Sequence, residues 1–412
     1  MNKPLFLLLS ATIFLSCGRS KESVATDSTA ITAVDSAAIR DSLARLTPPK
    51  PVVPKDTALD NIARFIAGLP QLDDNHFSKL QSDKNWVKYR TSMDTAWNQM
   101  TKRRLTAMAD WRQQELAPLI NDSLTLFYPF SGPDFLHAYT LYPHTTEYIM
   151  AALEPIRELP ALDSMNQSQV FSSVEKNYTV LSKNRSQFFD SLGNSLRDVF
   201  NKSYFITNHM MKDLRQTKGV LPLFFFFLER TGNEMLGMEF IALDDQGNEK
   251  VVDVKQLRQY ISPGVKMTFR DTATGAVKTL YYFSIDIGDK GMAKRSDFRA
   301  FIGKRQPYNT FVKSASYLMH HPDFKSIKAT LLEQSKSIFQ DDTGIPYKDI
   351  KATRQYDAHL YGEYVRPVSD FKWLDKQPDL DSAFKASAKP LPFSLGYHWS
   401  SKKQHYMLFL KK

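Results

Sequence analysis

Apart from one residue near its start, the chain has no cysteine: Cys17 is the only thiol among 412 residues. Disulfide frameworks, zinc–cysteine sites and cysteine nucleophiles are therefore excluded from everything that follows it. No stretch approaches the ~20 consecutive apolar residues of a membrane-spanning helix. The strongest run, Val220–Leu228 with four consecutive phenylalanines, is about nine residues long and predicts a buried strand. A His-Glu-x-x-His run, a Gly-x-Ser-x-Gly elbow and internal repeats are all missing. Aromatic residues are missing from Gly18 to Ala58. What is present elsewhere is ample core material, with 42% hydrophobic and 12% aromatic residues, which fits one large globular domain or two moderate ones.

The first seventeen residues carry an address. Met1-Asn2-Lys3 is a short cationic start, Pro4 to Leu15 is apolar except for Ser10 and Thr12, and Leu15-Ser16-Cys17-Gly18 follows. The apolar run suits a signal peptide and is too short for an anchor. The segment resembles the lipobox of bacterial lipoproteins, with Phe14 where Leu or Val is usual. That resemblance implies cleavage after Ser16 and acylation of Cys17 by palmitate-type chains. It also implies export to the outer membrane or cell surface. Gly18 is not an inner-membrane retention residue, and Ser20-Lys21-Glu22 resembles the charged export tags of Bacteroidetes surface lipoproteins. For such a protein the formal charge of +10 points to an anionic envelope polymer, lipid headgroups or simple solubility, with a protein partner as a further expectation and no role for nucleic acid.

Residues 17–58 are rich in Ser, Thr, Ala, Asp and Pro and read as a disordered tether, stiffened by Pro48, Pro49, Pro51 and Pro54. From 59 to 123 the pattern is helical: Trp86, Tyr89, Met93 and Trp97, then Leu105, Met108 and Trp111, recur at helical spacing. Residues 124–412 read as an α+β domain packed with that helical region. Strands are expected at Leu124–Phe130 and Glu147–Leu153, and helices at Gly132–Tyr142, Gln167–Phe189 and Ser191–Phe200. Antiparallel sheet is expected over Val220–Ile287, with a hairpin turn at Gly232-Asn233. Helix resumes at Gly291–Gly303 and Tyr308–Phe339, and a hairpin closes the chain over Phe393–Lys411. The fold class is α+β, a helical N-terminal region followed by a mainly antiparallel sheet with flanking helices.

Chemistry concentrates first at Tyr128-Pro129-Phe130-Ser131-Gly132-Pro133-Asp134, where a strand turns into a helix carrying His137. Ser131, Asp134 and His137 are the residue types of a nucleophile system. The same Ser131 and Asp134 also fit a helix capping box. Glu154 follows the next strand, and Arg230 and Asn233 follow the run of phenylalanines. If those strands adjoin, the five polar residues share one cleft, in which Arg230 could hold a carboxylate or phosphate. The alternative for Arg230 and Asn233 is a solvated hairpin tip. His398 and His405 would face each other in the closing hairpin as candidate metal ligands, with no third ligand implied by spacing. Gln340-Asp341-Asp342-Thr343-Gly344-Ile345-Pro346 is a turn that could hold a cation, although two adjacent carboxylates fall short of an EF-hand loop. Lys290, Lys294, Arg295, Arg299, Lys304 and Arg305 surround Met292, Phe298, Phe301 and Ile302, either as a membrane-surface helix or as the solvated face of a packed one.

The Tyr128–Asp134, Leu228–Asn233 and Ser316–His320 blocks are similar to those of an uncharacterised group of bacterial envelope lipoproteins. That resemblance implies no activity, and no cofactor is expected. With no motif rising above an ordinary structural role, the expectation is a non-catalytic binding or structural module of the envelope. The rival is a hydrolase of an envelope polymer using Ser131, Asp134, His137 or Glu154.

Overall fold

The centre of the molecule is built by strands that are apolar on both faces. In the computed structural model, which describes residues 53–120, 123–159, 162, 187–399 and 403–412, β1 (Leu126–Pro129) is buried at every position. Its alternate side chains enter two different cores. Leu126 and Tyr128 belong to one, and Phe127 belongs to the other, on the opposite face. β2 (Glu147–Ala152) and β6 (Val277–Ser284) divide their side chains in the same way. Strands covered on both faces suit parallel pairing beneath crossover helices.

Ten strands form one sheet in the order β4-β3-β5-β6-β2-β1-β7-β8-β10-β9. The others are β3 (Asn233–Leu243), β4 (Glu249–Val251), β5 (Gly264–Asp271), β7 (Tyr308–Val312), β8 (Ser335–Gln340), β9 (Tyr356–Gly362) and β10 (His405–Lys411). The pairs among β6, β2, β1, β7 and β8 are parallel, and the pairs at both flanks are antiparallel. The fold is thus α+β, and its antiparallel majority encloses a parallel centre.

Along that centre the chain leaves β1 through α1 (Phe135–Leu141) to β2 and then β6. It returns to the other side of β1 as β7, and proceeds through α2 (Lys325–Gln334) to β8. The buried side chains of α1 join the first core and those of α2 join the second, so the two crossovers lie on opposite faces. The loops leaving β1 and β7 diverge. Such a switch point opens a crevice at the carboxyl ends of the strands.

The N-terminal region is helical, as the spacing predicted. Thr57–Ile66 and Lys84–Met100 are helices, and the latter continues through two π-helical turns to Ile120. Trp86, Met93, Met108 and Trp111 face the first core. Val53 to Ala58, placed in the expected tether, belong to the folded unit: Lys55 pairs with buried Asp60 at 2.6 Å, and helix begins at Thr57. The signal peptide, Cys17 and the rest of the tether lie outside the described residues, as does most of the helix expected at Gln167–Phe189.

Four expectations are overturned. The apolar run is a helix, Leu221–Arg230, with Pro222 in its first turn and every residue from Leu221 to Glu229 buried. A helix that is apolar all round needs to be enclosed on every side, and this one is enclosed by other helices and by the sheet face of the first core. Gly232-Asn233 is therefore a helix-to-strand junction and not a hairpin tip. The helix expected over Tyr308–Phe339 is instead β7, two short 3₁₀ turns, α2 and β8. Finally, the described residues of Phe393–Lys411 do not pair as a hairpin. Gly396–His398 is a 3₁₀ turn, and β10 pairs with β8 and β9.

Candidate functional site

A cavity of about 700 Å³ opens at the β1/β7 switch point. Phe130, Ser131, Gly132 and Asp134 reach it from the end of β1, and Leu153 and Glu154 from the end of β2. Asp286 follows β6, and Lys313, Ser314 and Ser316 follow β7. Phe205, Phe371 and Tyr397 supply aromatic walls.

The backbone around this cavity is under strain. Phe130, Ser314, Ser316 and Tyr317 all have left-handed φ, between 50° and 60°. Such conformations cost of order 1–3 kcal/mol each and persist only where the surroundings enforce them. Here the turn after β8 holds two of them, Ser314 and Tyr317, and the Ala315 that stands between Ser314 and Ser316. Asp341 Oδ2 accepts the Ser314 amide at 2.9 Å, Thr343 Oγ1 accepts the Ala315 amide at 2.8 Å, and Asp342 Oδ2 accepts the Tyr317 hydroxyl at 2.9 Å. Burial and the adjacent Asp342 raise the Asp341 carboxyl above its ordinary range.

A buried polar cluster forms one wall of the cavity. Asp134 Oδ2 lies 2.7 Å from Lys313 Nζ and accepts the Tyr128 hydroxyl at 3.0 Å, while Oδ1 lies 2.7 Å from His137 Nδ1. Lys313 also donates to the Ser203 carbonyl. Burial alone would raise the Asp134 carboxyl, but His137 and Lys313 hold it down to about 2. Burial pushes the His137 imidazole down to about 4 against the pull of Asp134, so at neutral pH it carries no charge. Lys313 is lowered by burial despite the Asp134 carboxylate beside it.

This geometry corrects the reading of Ser131 and Asp134 as a capping box. Asp134 is the N-cap residue of α1, but its side chain makes no cap hydrogen bond. Nor do the residues form a nucleophile system: Ser131 Oγ donates to the Gly132 carbonyl at 2.8 Å, and the His137 ring nitrogen that has partners faces Asp134 and Lys313. Glu154 is buried. Its backbone carbonyl accepts the Tyr282 hydroxyl at 2.9 Å. Its carboxylate lies about 4 Å from where a Cβ on Gly132 would stand, and Gly132 has φ +55°.

Of the five polar residues expected to share a cleft, Ser131, Asp134 and Glu154 do so, while Arg230 and Asn233 do not. Arg230 pairs with Asp94 at 2.6 Å and donates to the Ala67 carbonyl at 2.8 Å, tying helices together. Asn233 is buried and donates to the Leu228 carbonyl and to Thr231 Oγ1. Neither Asp134 nor Glu154 pairs with Arg230, because the strand expected beside β1 is a helix elsewhere in the first core. Lys313 was missed because it lies inside a segment read as helix. The small residues after it, Ser314-Ala315-Ser316, were the available signal that a strand had ended.

His398 and His405 do meet, with ring centroids 4.8 Å apart, although not across a hairpin. The turn holding Asp342 brings a carboxylate between them, which spacing could not show. The basic helix is packed and not free: Met292, Phe298, Phe301 and Ile302 are all buried in the second core. Arg305 stacks on Phe301 and pairs with Glu147 and Glu249. Lys290, Lys294 and Arg299 form the solvated face.

Among the described residues no helix is long and apolar enough to cross a membrane. No family model, curated protein or solved structure matches the chain.

Proposed function

We propose that the chain is a lipid-anchored protein of the cell envelope, exported to the outer membrane or cell surface, whose body is a non-catalytic binding module. The ligand would occupy the β1/β7 cavity. The observation that carries the reading is a cavity of about 700 Å³ at a topological switch point, bordered by strained backbone. Ligand pockets occupy some 300–1,000 Å³ and favour such positions.

The lining favours one class of ligand. Among the described lining residues, Asp286 and Asp370 bring carboxylates, whereas the ammonium of Lys313 is already neutralised by Asp134. Aromatic planes beside excess negative charge suit a neutral or cationic polyol, because ring faces pack against sugar C–H edges and attract cations. An anionic envelope polymer would meet the exposed Lys290, Lys294 and Arg299 outside the cavity.

Ligand-observed NMR on the full-length, detergent-extracted protein tests the assignment, with glucosamine, N-acetylglucosamine and glucose 6-phosphate as probes. Saturation transfer to the first two, lost in Phe205→Ala, is expected. Preferential transfer to the phosphate, or transfer unchanged in Phe205→Ala, contradicts it. The hydrolase reading rests on Glu154 in the cavity, and turnover of an envelope glycan abolished by Glu154→Gln would favour it. Lipidation has its own test. Intact mass should give an acylated glyceryl-cysteine at Cys17, and an unmodified chain beginning at Met1 would refute it.

A further inference from the structure

We propose that Asp342, His398 and His405 bind one divalent transition-metal ion, with zinc the best match to the donor set. The three residues come from separate segments. Asp342 lies in the turn after β8, His398 ends the 3₁₀ turn Gly396–His398, and His405 opens β10. His405 Nε2 lies 3.1 Å and His398 Nε2 3.7 Å from the same atom, Asp342 Oδ1. One ligand atom from each residue falls within 4.8 Å of the others. A tetrahedral zinc ion with bonds of 2.0–2.2 Å sets its ligands about 3.3 Å apart, so the two histidine–carboxylate separations already bracket that value.

The second observation is what these atoms lack. Asp342 Oδ1, His398 Nε2 and both ring nitrogens of His405 are buried without a hydrogen bond of acceptable geometry. Asp342 and His405 are themselves almost wholly buried. Buried polar groups left without partners are costly, and several converging on one point call for a common partner.

The surroundings resemble a prepared metal site in their roles. The Tyr317 hydroxyl holds Asp342 Oδ2 at 2.9 Å, which fixes the carboxylate and leaves Oδ1 aimed at the histidines. The rings of Tyr364 and Phe384 stand edge-on to His405, with centroids 5.0 and 5.7 Å away, and keep water from that side. Such outer contacts orient ligands and tune affinity. Two imidazoles and one carboxylate suit zinc and its first-row neighbours, whereas calcium and magnesium prefer all-oxygen sites. Three protein ligands leave a fourth position for solvent. The His398 side chain is 15% exposed and marks the way in. A bound ion would pin the 396–399 turn, whose Tyr397 lines the cavity.

The test uses the full-length protein in detergent, stripped with a chelator and titrated calorimetrically with ZnCl₂. Absorption after CoCl₂ loading reports the coordination geometry. One equivalent of zinc should bind to wild type. His398→Gln and His405→Gln should weaken binding at least about tenfold by removing a ligand, while His144→Gln, an exposed imidazole elsewhere, should bind as wild type does. Far-UV circular dichroism on the same samples checks folding, and His398→Gln decides the matter if His405→Gln fails to fold. No zinc uptake by stripped wild type, or unaltered uptake by folded His398→Gln, would overturn the proposal and leave an ion pair between His405 and Asp342.

Discussion

Two buried clusters of an aspartate with histidine lie beyond strands of the parallel centre, one with Asp134 after β1 and one with Asp342 after β8, and they are finished in opposite ways. In the first, the Asp134 carboxylate has partners for both oxygens: Lys313 and Tyr128 on one, His137 on the other. In the second, Tyr317 holds Oδ2 of Asp342, while Oδ1 and the facing imidazole nitrogens have no hydrogen bond. The difference teaches that burial of similar residues does not imply similar roles. A cluster closed by its own lysine is complete, whereas one that brings two imidazoles and one carboxylate oxygen together without hydrogen bonds can receive a metal ion.

Breaking the closed cluster should have the largest effect. Lys313→Met leaves Asp134 buried without its main counter-charge, and loss of one partner from a buried pair costs about 3–5 kcal/mol. Urea unfolding should show that loss, and Asp134→Asn combined with Lys313→Met should recover much of it. Near-wild-type stability in Lys313→Met would mean the pair is not the closed unit described.

Acid should probe the same cluster with a definite sign. Unfolded His137 takes up a proton near pH 6.5, whereas buried His137 resists until about 4. Its contribution is therefore intact above about pH 6.5 and lost as pH falls to about 4. At about 1.4 kcal/mol per pH unit this amounts to about 3 kcal/mol. Asp134, depressed to about 2, adds a contribution present above the ordinary carboxylate range and lost as pH falls through about 2. His137→Asn should flatten the slope of stability between pH 6.5 and 4 when unfolding is followed across that range.

The open cluster should respond to metal where the closed one does not. Zinc at about a hundred times its dissociation constant should stabilise the stripped protein by about 2.7 kcal/mol in a thermal melt. That gain should vanish in His398→Gln and survive in His137→Asn. Equal gains in both variants would erase the distinction.

The smallest effect concerns the strained loop between the clusters. Ser314 Oγ has no hydrogen bond and its backbone is left-handed, so Ser314→Gly relieves strain at little cost in contacts. A stability gain of up to about 1 kcal/mol is expected, offset in part by the entropy glycine adds to the unfolded chain.

Much of the frame was legible in the sequence, and each exception has a physical cause. β1, α1 and β2 were readable because punctuation at Gly132-Pro133 separates short periodic segments. Leu223–Leu228 misled because a continuous apolar run has no period, so a helix enclosed on all sides cannot be told from a central strand. That error carried Arg230 and Asn233 into a cleft they do not share. Ser131, Asp134 and Glu154 converge because each follows a strand that proved parallel and adjacent. Lys313 was hidden inside a segment read as helix, and the meeting of Asp342 with His398 and His405 was hidden because they are distant in sequence and only the strand order brings β8 and β10 together.

The most direct measurement is anomalous diffraction at the zinc edge from crystals of the full-length protein soaked in a zinc salt. The account predicts a single strong peak enclosed by Asp342 Oδ1, His398 Nε2 and His405 Nε2, and none beside Asp134 and His137. An empty Asp342 cluster, or a peak at His137, would contradict it.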